Sequence, residues 1–250
     1  MQDENTGKRL TRRAVMSGAV MAASSPFAVR AFAMAPPPGT IPAPPSLTPD
    51  EALGRLKRGN QEFLAGRAVA ADRNGRRRLE IARAQYPIAV LVSCSDSRVP
   101  PELLFGRGLG ELFIIRNAGN TIDTVAMGSL EYAVAELNVP LVVVMGHERC
   151  GAVAAAVSVV EKGATFPGSI GQMVEPIVPA VLEAQRRRSP DLLDASVREN
   201  VRRTVGRLRD FSEPMVLDRI KDGRLRIIGA RYDLDDGRVD FFDEGRPART

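Results

Sequence analysis

The 250-residue sequence has no tryptophan, a single histidine and only two cysteines, and aromatic residues make up 5% of it. Two cysteines cannot build the disulfide framework of a small secreted scaffold, and a chain this long buries a full core without one. No apolar run reaches the ~18 residues that a membrane-spanning helix requires, so no such helix is expected. A strong excess of one charge is missing as well. The formal net charge is +5, and Lys8, Arg9, Arg12, Arg13 and Arg30 against Asp3 and Glu4 place +3 of it in residues 1–33. The +2 left for the rest of the chain is too little to point to nucleic acid or an anionic membrane as partner. The runs Arg76–Arg78 and Arg186–Arg188 lie in helical patterns with carboxylates nearby and read as solvated helix surface.

The first 33 residues have the layout of a targeting segment. Arg12 and Arg13 precede an apolar stretch from Ala14 to Ala28, and Ala31-Phe32-Ala33 offers small residues at a cleavage-site spacing. The arginine pair, the modest hydrophobicity and Arg30 resemble a twin-arginine signal, with Val15 where a larger apolar residue is usual. A periplasmic or otherwise exported protein is therefore expected. No cysteine follows the stretch, so no lipid anchor is expected after cleavage. From Ala35 to Pro49 the sequence is dominated by proline and suits an extended spacer, assigned to residues 34–47. Residues 48–250 are expected to form one domain.

Thr48-Pro49-Asp50-Glu51 is a helix start, with Thr48 as cap and Glu51 completing a capping box. Leu53, Leu56, Phe63 and Leu64 then share one helical face, and Gly66 can end the helix. A second helix is expected from Asn74 to Ala84. Ile88–Val92, Leu112–Ile115 and Leu141–Met145 are near-continuous apolar runs, as buried parallel strands show. A helical stretch from Val125 to Leu137 separates the last two. Helices are also expected at Gly171–Arg188 and Ser196–Phe211. Arg224–Tyr232 and Arg238–Phe242 flank Asp236-Gly237, a hairpin signal. The fold class is thus α/β: a mostly parallel central sheet flanked by helices, with N-terminal helices and a C-terminal β-hairpin. Gly106-Arg107-Gly108-Leu109-Gly110 lacks the lysine and the spacing of a phosphate loop and reads as a turn.

Two of the three strand runs end in polar residues. Ile88–Val92 leads into Ser93-Cys94-Ser95-Asp96-Ser97-Arg98, and Leu141–Met145 into Gly146-His147-Glu148-Arg149-Cys150-Gly151. Carboxyl ends of parallel strands are where open α/β sheets place their sites, and both cysteines and the only histidine fall there. Two thiolates and an imidazole suit zinc, and three ligands leave a fourth position open, as catalytic sites do. A buried cysteine is also a good small core residue, and two cysteines in an exported protein can form a disulfide. The spacing of His147 and Cys150 at i and i+3, with Cys94 arriving from a neighbouring sheet end, favours the metal.

These residues resemble a known family. Cys94-Ser95-Asp96-Ser97-Arg98 and His147-Glu148-Arg149-Cys150-Gly151 are similar to the C-x-D-S-R and H-x-x-C-G motifs of the β-class carbonic anhydrases. Gly110–Asn120 and Leu130–Val134 match at the right offsets, and the resemblance runs from about Leu47 to Phe242. It implies reversible, zinc-dependent hydration of carbon dioxide to bicarbonate and a proton, with one Zn2+ per chain. It implies Cys94, His147 and Cys150 as ligands, and Asp96 with Arg98 as the catalytic dyad. Asp96 would be a fourth ligand only in a closed state. Gln85 matches an amide that binds substrate from the partner subunit in some members, Phe113, Ala118 and Tyr132 an apolar substrate pocket, and Gly151 a backbone N–H near a substrate oxygen. A homodimer or tetramer follows, with the site near the subunit interface. Some members close the site through a bicarbonate pocket containing a tryptophan, which here is Leu91, so that pocket is expected to be absent. A carbon disulfide or carbonyl sulfide hydrolase on the same scaffold, or a non-catalytic zinc module, are the alternative readings.

Overall fold

The computed structural model describes residues 47–67 and 73–242. The targeting segment, and all of the proline-rich spacer but Leu47, lie outside the described residues. The chain opens with α1 (Pro49–Leu64), α2 (Gly75–Ile81), β1 (Ala89–Cys94), α3 (Pro101–Leu104), β2 (Leu112–Asn117) and α4 (Thr124–Ala135). It continues through β3 (Leu141–His147), α5 (Gly151–Lys162), α6 (Gly168–Val174), α7 (Val178–Arg186), α8 (Leu192–Phe211), α9 (Pro214–Lys221), β4 (Arg226–Tyr232) and β5 (Val239–Phe242). The strands form one sheet in the order β2-β1-β3-β4-β5, parallel throughout except for the β4–β5 pair. The expected strands and the terminal antiparallel pair are all present, and β4 also joins the parallel sheet beside β3.

The capping box forms as expected: the Glu51 N–H donates to Thr48 Oγ1 at 3.2 Å and the Thr48 N–H to Glu51 Oε2 at 2.8 Å. Ala52, Leu53 and Leu56 are buried, but Phe63 and Leu64, expected on the same face, are 37% and 42% exposed. They sit where α1 has run past the sheet, beside the β4–β5 turn at Gly237. Asn60 ties α1 to that turn, its side chain accepting from the Val239 N–H and donating to the Gly237 carbonyl. α2 stops at Ile81, short of Ala84. Residues Gly171–Arg188, expected to be one helix, are broken by a 3-10 turn at Glu175–Ile177, where Pro176 removes a backbone donor. α8 starts earlier than Ser196 because Asp191 caps it, accepting from the Asp194 N–H at 2.9 Å.

Every residue of β1 and β3 is buried, which explains their unbroken apolar sequences. On one face of the sheet Val90, Val92, Val142 and Val144 pack against Leu130 of α4, Val201, Val205 and Leu208 of α8 and Val216 of α9. On the other, Leu91, Val143, Met145 and Ile228 meet Leu53 and Leu56 of α1 and Leu104 of α3. Each such Val or Leu side chain contributes about 1.5–3 kcal/mol. Leu91 is fully buried in this second cluster as an ordinary core residue. The arginine runs carry the expected partners, Arg76 on Glu80 at 3.0 Å and Arg187 on Glu183 at 3.0 Å.

Candidate metal centre

β1 and β3 are adjacent, with Ser93 opposite Met145, so both strands deliver their last residues, Cys94 and His147, to one edge of the sheet. Cys150 caps the N-terminus of α5, three residues on. The two sulfurs are 4.0 Å apart and both thiols are free. Two sulfurs at ~2.3 Å from a tetrahedral zinc are about 3.8 Å apart, whereas a disulfide needs about 2.05 Å. The ligand atoms of Cys94, His147 and Cys150 lie within 4.8 Å of one another, and all three residues are buried.

The ring of His147 shows its role by its hydrogen bonding. Nδ1 lies 2.9 Å from the Glu148 carbonyl, while Nε2 is buried with no hydrogen-bond partner. Donation from Nδ1–H selects the tautomer in which Nε2 carries a lone pair, the arrangement of a metal-bound histidine. Leaving such an acceptor unpaired costs about 1–3 kcal/mol, a cost a metal ion would remove. The residues therefore fit zinc. The Cys94 thiol is pulled down, chiefly by its hydrogen bond with Cys150, with help from the Gly119 amide. Cys150 is pushed up by that same neighbour and by burial, so the pair retains one proton that an incoming metal displaces.

Asp96 sits beside the ligands, Oδ2 lying 3.8 Å from His147 Nε2. Both its oxygens are engaged by Arg98, Nε to Oδ1 at 3.0 Å and Nη2 to Oδ2 at 2.8 Å, and the Arg98 N–H adds a bond to Oδ1 at 2.9 Å. The Arg98 guanidinium holds the carboxyl well below the usual carboxylate range. In this arrangement both Asp96 oxygens are held by Arg98 as hydrogen-bond acceptors beside Cys94, His147 and Cys150. Arg116 of β2 braces the loop, donating to the carbonyls of Cys94 at 2.8 Å and Asp96 at 2.6 Å.

The bridge between His147 and Cys150 is fastened as well. Arg149 adopts a left-handed backbone at φ 51° and pairs with both oxygens of Asp235 at 2.9 and 2.6 Å, while the Glu148 N–H donates to the Tyr232 carbonyl. Glu148, Asp233 and Asp235 form a second close acidic group, and each of its carboxylates is paired with Arg149 or Arg231. Sequence reasoning did not single out Arg116, Arg149 or Asp235. A polar residue ending an edge strand and an arginine between two ligands were the available signals.

Of the remaining predicted residues, Ala118 lies in the 3-10 turn Ala118–Asn120 next to Gly119, whose N–H is 3.4 Å from the Cys94 sulfur. Gly151 opens α5 and is exposed, with free space where a Cβ would stand. Gln85 and Phe113 lie toward the far ends of β1 and β2, away from Cys94 in the same chain. Gln85 is exposed and precedes β1, which runs about 16 Å from Ala89 to Cys94. Phe113 lies near the start of β2, four residues before Asn117, the partner of Cys94. Its ring is 6.4 Å from that of Tyr132, which is 50% exposed on α4.

The carbonic anhydrase family model matches residues 89–239. Carbonic anhydrase 2 of Mycobacterium tuberculosis is 42% identical over 199 residues, 80% of this chain and 95% of that protein. A carbonic anhydrase of Mycolicibacterium smegmatis is 38% identical over 197 residues, 79% and 95% of the two chains. Among solved structures, a β-carbonic anhydrase of Aspergillus fumigatus superposes with a TM-score of 0.59 at 26% identity, covering 79% of this chain and 88% of that one. The tetrameric β-carbonic anhydrases of Sordaria macrospora share the fold, with a TM-score of 0.59 at 23% identity, over 78% and 92% of the two chains. With both ligand strands inside the family model and relatives matched along nearly their whole length, this chain belongs to the β-class carbonic anhydrases.

Proposed function

We propose that this carbonic anhydrase hydrates carbon dioxide at a centre in which Cys94, His147 and Cys150 hold one zinc ion per chain. The observation that carries this reading is the bare Nε2 of His147, buried beside two thiol sulfurs. Bound zinc supplies a Lewis acid that brings the ionisation of a water from about 15.7 toward 7. Two thiolates offset the charge of the ion, so the neighbouring side chains matter more than at an all-histidine site. Asp96, held at both oxygens by Arg98, would serve as the hydrogen-bond acceptor that orients the attacking water. Ala118 borders the space that carbon dioxide occupies, and the Gly151 N–H faces a substrate oxygen. Metal analysis joined to a pH-indicator assay tests the reading: one zinc per chain and hydration lost on chelation support it, whereas full activity in metal-free protein overturns it. The relatives are carbonic anhydrases, and nothing in the site favours a carbon disulfide or carbonyl sulfide hydrolase or a non-catalytic zinc module.

Gln85, Phe113 and Tyr132 act in this reading from a second subunit, which makes the enzyme a homodimer or a tetramer. Two observations support it: Phe113 stands at the opposite end of β2 from Asn117, the partner of Cys94, and the edge strand β2 has Leu112, Phe113 and Ile114 only partly buried.

The proton released by hydration has few routes out. The only histidine is fully buried within the ligand group, so no histidine shuttle exists in this subunit or an identical one. Turnover at neutral pH is expected to rise strongly with the concentration of an imidazole-type buffer. Turnover that stays flat from very low to high buffer would reveal an internal relay, with Tyr132 the first residue to examine.

The arginine pair supports export through a twin-arginine route into the periplasm, with cleavage after Ala33 leaving no membrane anchor. Replacing Arg12 and Arg13 by lysine is expected to leave active enzyme in the cytoplasm. Unimpaired arrival of the double variant in the periplasm would overturn this assignment.

A further inference from the structure

α8 lays Val197, Val201, Val205 and Leu208 against the rest of the fold, all four at most 1% exposed. Asn200 is buried with them at 3% exposure, where an unpartnered amide would be costly. Its Nδ2 donates to the Gly119 carbonyl oxygen at 2.8 Å. Gly119 has its own N–H 3.4 Å from the Cys94 sulfur. The residue is at φ 74°, and a Cβ there would lie 2.6 Å from Ile177 Cδ1 and 3.2 Å from the Ala152 Cβ. Gripped at its carbonyl by Asn200 and enclosed at its Cα by Ile177 and Ala152, Gly119 has one orientation left for its N–H.

We propose that Asn200 is a positioning residue of the metal centre, holding the Gly119 N–H on the Cys94 sulfur. The inference rests on Cys94 being a zinc ligand. A hydrogen bond to a ligating sulfur fixes its direction and draws electron density from it, and partners of this kind typically alter metal affinity about 10–100-fold. With two thiolates in the donor set, restraining the charge that one of them gives to the ion preserves its strength as a Lewis acid. Asn200 never touches substrate. It acts through the backbone of a single residue, Gly119, whose fixed φ links the peptide that Asn200 grips to the one that faces the sulfur, and from a helix that supplies no ligand.

The test uses the full chain with two probes: zinc transfer to a chromophoric chelator, and the thiolate-to-metal charge-transfer absorption after replacing zinc by Co2+. Asn200→Ala is expected to release zinc about tenfold faster and to move the charge-transfer band to longer wavelength, because the freed sulfur is more electron-rich. Asn200→Ser, whose hydroxyl is too short to reach Gly119, gives the same two readings if the alanine variant does not fold. Val205→Ala is the control: it weakens packing on the same helix further from the site and is expected to leave release and band at the wild-type values. Wild-type release and an unmoved band in the Asn200 variants would overturn the proposal, as would equal changes in Val205→Ala. A wild-type chain that takes up no cobalt would overturn the ligand assignment itself, a result separate from either of these.

Discussion

Cys94→Ser and Cys150→Ser are each expected to lose zinc and, with it, carbon dioxide hydration, by at least about a thousandfold, given that enzymes accelerate their reactions a millionfold or more. The size of the effect follows from the donor set. Three side chains would hold the ion in the proposed centre, and a serine hydroxyl does not ionise to replace a thiolate. Both sulfurs are buried in well-packed surroundings with Val153 and Ile177, so the swap alters little volume and the variants should fold. Zinc content by mass spectrometry and initial rates in a pH-indicator assay are the measurements. Full zinc content in either variant, or an active protein with Cys94 and Cys150 joined in a disulfide, would exclude this metal centre.

The second large effect concerns the dyad. Asp96→Asn should keep zinc but lower kcat about 100- to 1000-fold, because the site loses the carboxylate acceptor that stands 3.8 Å from His147 Nε2. Arg98→Ala should also be severely impaired, for a different reason: it frees both oxygens of a carboxylate that stands 3.8 Å from a ligand nitrogen, and that carboxylate can then compete for the fourth coordination position. The sign of the pH dependence separates Asp96 from other acids. Arg98 lowers its pKa in the folded state, so its contribution to stability is complete above the unfolded value of about 4 and is lost only as pH falls through the lower folded value. Asp96 therefore stays ionised across the neutral range and does not shape the activity profile there. Retention of full kcat by Asp96→Asn would remove it from the reaction.

Much of this was legible before the structure. The parallel strands show themselves because β1 and β3 are buried on both faces and so are spelled in unbroken apolar residues. Cys94, His147 and Cys150 stand out because they are the only residues of their types and each follows such a run. Other features carry no comparable signal. β1 extends through Ser93 and Cys94, beyond the apolar run, since a buried cysteine packs like a small apolar residue. α5 is nearly all alanine and valine from Gly151 to Val160, with no polar face to mark a period, and α9 is only two turns long. The break between α6 and α7 was signalled by Pro176, which the apolar pattern around it obscured. Asn200 and Thr204 are both buried polar residues on α8, four apart, a hint that reads as helix surface until the neighbouring strands are placed. The placement of Gln85 and Phe113 away from Cys94 of their own chain depends on how far β1 and β2 run, which no local pattern reveals.

Cys94 and Cys150 are 56 residues apart, and the segment between them contains β2, α4 and β3. Metal held by both would close that segment into a ring, as a disulfide would, but with a bond that a chelator can open. By loop-closure entropy a cross-link of this span is worth about 4 kcal/mol against the unfolded chain. Two of the five strands would thus be threaded on one inorganic clasp, and the melting temperature should follow free zinc concentration even when no substrate is present.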